Sequence, residues 1–302
     1  MRKTWSAARL MLALPVFWTV AARAETLADK IGHSDPARYH DLTAVHDGAG
    51  SMQFGELLGA HALSTNLMFV HRGVIPPKSG IGEHFHHQGE EMFVIFDGDA
   101  EFTIDGRTAV VPGPAAVPDL LGHAHGLYNP GTRPLQWLNV NVGLAKIYDA
   151  FNLHDPRVGV PRDAIPQFVS VRFDRALLKP VPAMDGGRGT MLYRRVLEPS
   201  VFTTPWTFVD HMVLPVGSAT GPATRPTMSE AYYVISGDGA ITVNGETAPL
   251  RAGDAVPVDL GQTHMIRQTG AAPLELLVIG VAKDLAAKAA YVAETARARP
   301  RR

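Results

Sequence analysis

Three histidines and one glutamate form the clearest chemical pattern in the sequence. His84 and His86 stand two positions apart, Glu91 follows five residues later, and His125 lies further along the chain. In an extended strand, side chains at i and i+2 point to the same face, so His84 and His86 can converge while His87 points away. Three imidazoles and one carboxylate suit a borderline divalent metal that keeps positions open for water or substrate.

An internal repeat with a constant offset of 139 residues organises the chain. Glu91 corresponds to Glu230 and His125 to His264, and no gap is needed from about residue 48 to 142. Further identical pairs at this offset are Met52 and Met191, Gly98 and Gly237, Gly106 and Gly245, and Pro118 and Pro257. Agreement at one fixed offset over this length indicates a tandem duplication.

The repeat also separates the candidate ligands from their neighbours. Glu91 corresponds to a glutamate, whereas Glu90 corresponds to a serine. The predicted carboxylate ligand is therefore Glu91. His123 corresponds to a glutamine, so it is interpreted either as a pocket residue near the metal or as an exposed histidine.

The second copy retains only half of the pattern. The two histidines of the first motif are replaced by Ala223 and Arg225, while Glu230 and His264 remain. A guanidinium group repels a cation and has no lone pair to offer it. We therefore expect one metal per chain, in the first copy. In the second copy, Arg225 either forms an ion pair with Glu230 or lines a pocket for a carboxylate ligand.

Two asparagines and a tryptophan on one predicted strand are candidate pocket residues. Asn139 and Asn141 are two positions apart near the end of the first copy, where the second copy has Val278 and Gly280. Because polar residues occur here only in the copy with the metal pattern, they are predicted to support the metal or contact substrate, with edge-strand hydrogen bonding as the alternative. Trp137 shares their face by parity and is predicted to line the pocket or the core.

Both copies have the pattern of short strands. Segments 91–96 and 231–235 are β-branched and aromatic, and each is followed by a glycine-containing turn. The pairs Asp105-Gly106 and Asn244-Gly245 suit type I′ hairpin turns. Short strands separated by such turns predict an all-β sandwich or barrel. After Asp284 the composition favours a helix.

The first 24 residues have the pattern of a secretory signal peptide. Basic residues precede an apolar run from Leu10 to Val20, and small residues at 22–24 fit a cleavage site. This run of about eleven residues is shorter than the roughly 20 needed to span a bilayer. We expect a mature chain without a membrane span, located in the periplasm or secreted from a bacterium.

Composition excludes several classes of protein. The 302 residues are 46% hydrophobic with a formal net charge of −1, which excludes wholesale disorder and gives no basic field for nucleic acid. The chain contains no cysteine. Thiolate nucleophiles, cysteine zinc sites and iron–sulfur clusters are therefore excluded, and any metal must be held by histidine and carboxylate.

The ligand pattern resembles the two sequence motifs of the cupin superfamily. The residues that match the first motif are His84-x-His86-x4-Glu91-x6-Gly98, and those that match the end of the second motif are His125-x3-Asn129. With two copies, over residues 48–142 and 187–283, the chain resembles a bicupin. Two departures, Lys78 in place of a glycine and the proline-rich turn at 112–114, concern turns rather than ligands.

The resemblance implies an all-β fold of two tandem double-stranded β-helix barrels, with a metal held by His84, His86, Glu91 and His125. The predicted divisions are a signal peptide (1–24), an N-terminal segment (25–47), a first barrel with the metal site (48–146), a connection (147–186), a second barrel with a degenerate site (187–283), and a short C-terminal helix with a basic tail (284–302).

The resemblance favours a metal-dependent enzyme with dioxygenase- or decarboxylase-type chemistry on a small oxygen-rich organic molecule. The alternative is a non-catalytic periplasmic protein that binds a small molecule or sugar and uses the metal structurally. A homo-oligomeric scaffold is a third possibility. The cofactor is one divalent transition metal, and the ligand set does not distinguish Mn, Fe, Zn, Ni and Cu.

Overall fold

The computed structural model of the protein describes residues 25–298. The predicted signal peptide, residues 1–24, and the last four residues of the basic tail lie outside the described residues. In the described chain, no helix has the length and apolar character needed to cross a membrane. Strands dominate both halves, which confirms the all-β prediction. One helix of 14 residues follows the last strand, which confirms the predicted C-terminal helix.

The elements of the first half begin with a helix of four residues. They are α1 Leu27–Lys30, β1 Gly32–His33, β2 His40–Thr43, β3 Ser51–Leu58, β4 Leu67–Ile75, β5 Gly80–Phe85, β6 Gly89–Ile95, β7 Asp99–Ile104, β8 Arg107–Pro112, β9 Ala115–Asp119, β10 His125–Tyr128 and β11 Leu135–Gly143.

The second half ends with the longer helix. Its elements are β12 Phe151–Asp155, β13 Arg162–Asp163, β14 Val171–Arg172, β15 Lys179–Pro182, β16 Thr190–Leu197, β17 Trp206–Leu214, β18 Ala223–Thr224, β19 Met228–Ser236, β20 Gly239–Val243, β21 Glu246–Leu250, β22 Asp254–Val258, β23 Thr263–Gln268, β24 Leu274–Ala282 and α2 Leu285–Ala298.

Each barrel is built from a larger and a smaller sheet. In the first barrel the strand orders are β14-β9-β6-β11-β4-β3-β2 and β12-β5-β10-β7-β8-β13. In the second barrel they are β1-β22-β19-β24-β17-β16-β15 and β18-β23-β20-β21. At the 139-residue offset, β1 to β11 correspond to β14 to β24 in turn. The strands β12 and β13, which have no equivalent strand within residues 25–298, extend the smaller sheet of the first barrel.

The two barrels exchange their first strands. Strand β1 pairs with β22 of the second barrel through Gly32 and Ala255, and β14 pairs with β9 of the first through Val171 and Ala116. The two pairings are equivalent at the repeat offset, because Gly32 corresponds to Val171 and Ala116 corresponds to Ala255. Segments 25–47 and 147–186, divided from the barrels in the sequence analysis as an N-terminal segment and a connection, thus both supply strands to them. These strands have two to five residues, too few to show a periodic pattern in the sequence.

Strand β6 shows why a strand of the first barrel's larger sheet lacks alternation between polar and apolar residues. All seven of its residues are buried, and they alternate between two environments. Phe93 and Ile95 pack inside the first barrel, whereas Met92 and Val94 pack against the second barrel. The interface core, which lies between the two larger sheets, includes Leu138 and Trp206 among its fully buried side chains. A sheet buried on both faces has no polar alternation.

A buried carboxylate connects the two barrels at this interface. One oxygen of Glu90 accepts hydrogen bonds from the backbone N–H and hydroxyl of Thr203 at 2.9 and 2.8 Å, and the other accepts from the same groups of Thr204 at 3.0 and 2.6 Å. At the equivalent place, the hydroxyl groups of Thr65 and Ser229 hydrogen-bond to each other. Lys288 of α2 donates to the Thr204 carbonyl at 2.7 Å and so fixes the C-terminal helix nearby.

We expect Glu90→Ala to lower the free energy of unfolding by at least about 3 kcal/mol, because several buried donors lose their acceptor. The matched change Ser229→Ala, at the repeat-equivalent position, removes the hydrogen bond with Thr65 and a long one to the Val281 carbonyl, and should cost only about 1 kcal/mol. Urea unfolding of the metal-free protein measures both values. Equal losses for the two variants would contradict the role assigned to Glu90.

Candidate metal centre

Three of the four predicted ligands lie on strands of the first barrel, and the fourth directly follows one of these strands. His84 is on β5 and His86 directly follows it, while His125 begins the neighbouring strand β10. His84 and His125 face each other in register. Glu91 is on β6 in the larger sheet, on the face that points into the barrel. The two sheets therefore contribute ligands to one point in the interior.

The ligand atoms of this cluster all lie within 4.8 Å of one another. Nε2 of His86 is 3.6 Å from one oxygen of Glu91, and Nε2 of His125 is 3.7 Å from the other. These separations exceed a hydrogen bond. Among the described residues, neither nitrogen has a hydrogen-bond partner, although both are buried. Nitrogen lone pairs left unpaired around a buried carboxylate fit a bound cation.

Backbone carbonyls orient two of the imidazoles. Nδ1 of His84 donates to the Gly82 carbonyl at 2.8 Å, and Nδ1 of His86 donates to the carbonyl of Asp149. With the proton held on Nδ1, the lone pair of Nε2 points into the cluster. His87 faces outward, with its side chain 63% exposed and Nδ1 3.1 Å from an Asp149 oxygen. His84 and His86 thus point into the cluster, and His87 points away from it.

The two predicted asparagines hold Glu91. Nδ2 of Asn139 donates to one carboxylate oxygen and Nδ2 of Asn141 to the other, each at 3.0 Å. Burial alone would raise the pKa of Glu91, but the nearby histidines His125, His86 and His84 bring it below its ordinary value. The carboxylate is thus ionised and fixed in orientation, as a metal ligand must be.

Burial also keeps His84 in its neutral form. Its pKa is lowered to about 2, chiefly by burial and then by the neighbouring His125 and His46. A neutral imidazole is the form that binds a metal. The cluster therefore presents an ionised carboxylate and an available lone pair.

A cavity of about 330 Å³ opens beside the cluster. Trp137 and Asn139 line it, together with the ligands His84 and Glu91. His123 does not line it. The structure places His123 on the surface, half exposed, with Nδ1 2.6 Å from an oxygen of Asp105. The interpretation of His123 as an exposed residue holds, because the turn after β9 carries its side chain outward.

His46 and Tyr148 are among the cavity residues that were not found from the sequence. The ring of His46 stacks on that of His84 with centroids 3.7 Å apart, and its Nδ1 is 2.8 Å from the Asn152 side-chain oxygen. The hydroxyl of Tyr148 lies 3.3 Å from Nε2 of His46. His46 has a left-handed backbone in a 3₁₀ turn and Tyr148 precedes β12, so neither lies in a periodic segment. Proximity in the fold is the signal that identifies them.

One buried acid near the ligands also escaped the sequence analysis. Asp119 is opposite Glu91 in the pairing of β9 with β6, and among the described residues neither of its oxygens has a hydrogen-bond partner. Burial raises its pKa to about 7, and Glu91 adds to this while His125 opposes it. The repeat gives no signal for this position, since the second copy has Val258.

In the second barrel, an ion pair fills the equivalent site. Nε of Arg225 donates to Glu230 at 2.7 Å, and Nε2 of His264 is 3.2 Å from the other oxygen of Glu230. The hydroxyl of Tyr232 joins this group, 2.7 Å from His264. The cavity beside this group has a volume of about 50 Å³. The structure thus forms the ion pair of the first interpretation, and Arg225 also lines the small cavity of the second.

Comparison with known proteins agrees with this architecture. A cupin domain model matches residues 71–141 and again 210–280. An oxalate-binding protein of Thermotoga maritima is 32% identical over 96 residues, which are 32% of this chain and 79% of that protein.

Two solved structures share the arrangement of both barrels. An oxalate decarboxylase from Bacillus subtilis has a TM-score of 0.58 at 17% identity, over 84% of this chain and 76% of that chain. The enzyme from Lactobacillus farciminis, in a formate complex, has a TM-score of 0.58 at 14% identity, over 83% and 86%. At these identities the likeness concerns the fold. With its duplicated motif and two matched domains, the chain belongs to the cupin family.

Proposed function

We propose that this protein is a metal-dependent enzyme of the oxidoreductase or lyase type that acts on a small oxygen-containing organic molecule. One observation carries the proposal: a buried cluster of three histidines and one glutamate opens directly onto a cavity of ligand size. Ligand pockets of about 300–1,000 Å³ that combine apolar walls with a few polar groups are typical of small-molecule sites.

The residues of the cluster would hold one divalent metal. A bound ion supplies positive charge that polarises a substrate oxygen. Mn(II) is the first metal to test, because the oxalate decarboxylase of Bacillus subtilis contains Mn(II) centres. Fe, Zn, Ni and Cu accept the same ligand types.

The chain's own residues would position the substrate. Asn139 and Asn141 keep the carboxylate of Glu91 fixed, so that the open side of the cluster faces the cavity. The Tyr148 hydroxyl and Nε2 of His46 are polar groups near this open side that can hydrogen-bond to a bound oxygen. Aromatic walls exclude water and strengthen these polar contacts.

The alternative function is a binding protein with a structural metal. It draws support from the relative in Thermotoga maritima, which is named for oxalate binding. Turnover separates the two functions. Metal-dependent consumption of an organic substrate, measured as oxygen uptake or carbon dioxide release, supports the enzyme. Saturable ligand binding without product formation supports the binding protein.

We expect His86→Ala to lose its metal, with affinity lowered by more than about 100-fold, since even changes outside the ligand set cost 10–100-fold. His87→Ala is the matched control, because the neighbouring side chain is exposed and faces away from the cluster. Elemental analysis after dialysis measures the metal content. A full metal complement in His86→Ala, or its loss in His87→Ala, would contradict the ligand assignment.

We expect one equivalent of metal per chain, and an unchanged content in Arg225→Ala, because Arg225 binds Glu230 instead of a cation. The double variant Ala223→His with Arg225→His should bind a second equivalent. The histidine introduced at position 223 would stand across from His264 as His84 stands across from His125. Two equivalents in the wild-type protein would contradict this interpretation of the second barrel.

We also propose that the protein is exported. The expected mature chain begins at Glu25, because residues 1–24 carry the basic, apolar and small-residue segments of a signal peptide. Mass spectrometry of the protein from a periplasmic or culture fraction measures this start. A cytoplasmic protein that retains Met1 and the apolar run would contradict the proposal.

A further inference from the structure

A second cavity, with a volume of about 470 Å³, is lined by residues of both barrels. We call it the inter-barrel cleft, and it shares no lining residue with the cavity at the metal centre. Successive residues of a strand point to opposite faces of its sheet, which explains this separation. On β4 and β11, His71 and Trp137 line the metal-centre cavity, whereas their neighbours Arg72 and Gln136 line the cleft.

Arg72 brings a positive charge to the cleft without a negative partner. It is half-buried, and its guanidinium donates to the Tyr233 hydroxyl at 3.1 Å, the Trp137 carbonyl at 3.0 Å and the Gln136 side-chain oxygen at 2.8 Å. A fourth bond reaches the Gly73 carbonyl. All four acceptors are uncharged, and among the described residues no carboxylate pairs with Arg72. Since a guanidinium is always protonated, the charge needs a counter-ion from elsewhere.

The repeat shows how the chain pairs the same positions in the second copy. Arg72 corresponds to His211 and Gln136 to Glu275, and Nε2 of His211 lies 2.7 Å from an oxygen of Glu275. Burial alone would raise the pKa of Glu275, but hydrogen bonds from His211 and Arg175 lower it to about 2. The second copy therefore has an ionised acid with its partners in place. The first copy has the cation and lacks the acid.

Arg175 adds further donors to the cleft. Its side chain is 51% exposed, its Nε and Nη2 donate to Glu275, and Nη2 also donates to Ser236. Among the described residues, Nη1 of Arg175 has no acceptor. A guanidinium has five N–H donors, of which Arg72 uses four and Arg175 three. Both arginines therefore have donors left for a ligand.

Aromatic and aliphatic side chains form the rest of the wall. The rings of Phe96 and Tyr233 are stacked, with centroids 5.6 Å apart and planes at 29°. The guanidinium carbon of Arg72 lies 4.9 Å from the centre of the Phe96 ring. Phe173 and Ile235 extend this apolar surface. A flat ring can pack against such a wall, while the arginines favour a planar carboxylate.

We propose that the inter-barrel cleft is a second ligand site, which binds a small aromatic monocarboxylate. The carboxylate would accept hydrogen bonds from Arg72 and Arg175 and supply the missing negative charge, and the ring would pack against the apolar wall. A dianion fits less well, because Asp97 and Glu275 already bring negative charges to the cleft.

The test titrates the Mn(II)-loaded protein at pH 7 by calorimetry with benzoate, benzamide and acetate. Benzamide keeps the ring without the charge, and acetate keeps the charge without the ring. We expect one equivalent of benzoate to bind, at least about tenfold more tightly than either of the others, since both the charged and the apolar contact contribute. Absence of saturable benzoate binding, or equal affinity for benzamide or acetate, would overturn the inference.

A substitution taken from the repeat tests the role of the unpaired charge. Gln136→Glu places at this position the acid that the second copy has, and it keeps an acceptor for Nη2 of Arg72. We expect it to weaken benzoate at least about tenfold, because the new carboxylate neutralises Arg72 and repels the ligand. Gln167→Glu is the matched control, since Gln167 is exposed and does not line the cleft. Wild-type affinity in Gln136→Glu, or equal losses in both variants, contradicts the proposal.

The metal-site variant His86→Ala shows which cavity benzoate occupies. Because the cleft shares no residue with the metal centre, its affinity for benzoate should stay within about twofold of the wild-type value. Loss of benzoate binding in this variant would place the ligand at the metal and overturn the inference. The inter-barrel site does not depend on the proposed function, so absence of turnover at the metal centre leaves it unaffected.

Discussion

The carboxylate of Glu91 is the group around which the first barrel is arranged. Its charge is buried on a sheet that is covered on both faces, and an uncompensated ion in such a place costs several kcal/mol. Asn139 and Asn141 satisfy its two oxygens on one side, and the nitrogens of the histidine ligands approach on the other. The strand pairing that places Asn141 across from Glu91 thus fixes both the ligand and its support.

The second barrel meets the same constraint in a different way. Glu230 keeps the position of Glu91, but the guanidinium of Arg225 supplies the positive charge from within the chain. This ion pair occupies the site, and the cavity beside it has a volume of about 50 Å³. The duplication has therefore separated the roles of the barrels: one keeps an open site, while the other contributes a large apolar sheet and Thr203 and Thr204, which hold Glu90.

The features that could be predicted from the sequence are those that follow from the alternation of side chains along a strand or from the 139-residue repeat. Alternation along a strand placed His84 and His86 together, and the repeat selected Glu91 over Glu90. The role of Asn139 was predicted only in part, because contact with Glu91 depends on the register between β6 and β11. His46 lies in a turn with a left-handed backbone, and Asp149 contacts His86 through its backbone carbonyl. Neither feature produces a recognisable pattern of residue types in the sequence. The exchanged strand β1 was missed because two residues carry no periodicity.

The segment between the barrels completes the metal site. Strand β12 pairs with β5, so that Asn152 lies opposite His84, and the preceding residues bring the Asp149 carbonyl to His86 and the Tyr148 hydroxyl to His46. Beyond this segment, β14 forms the edge of the first barrel's larger sheet by pairing with β9. A chain ending at β11 would therefore lack both an oriented His86 and an edge strand of that sheet. The open site depends on the segment that joins it to its degenerate copy.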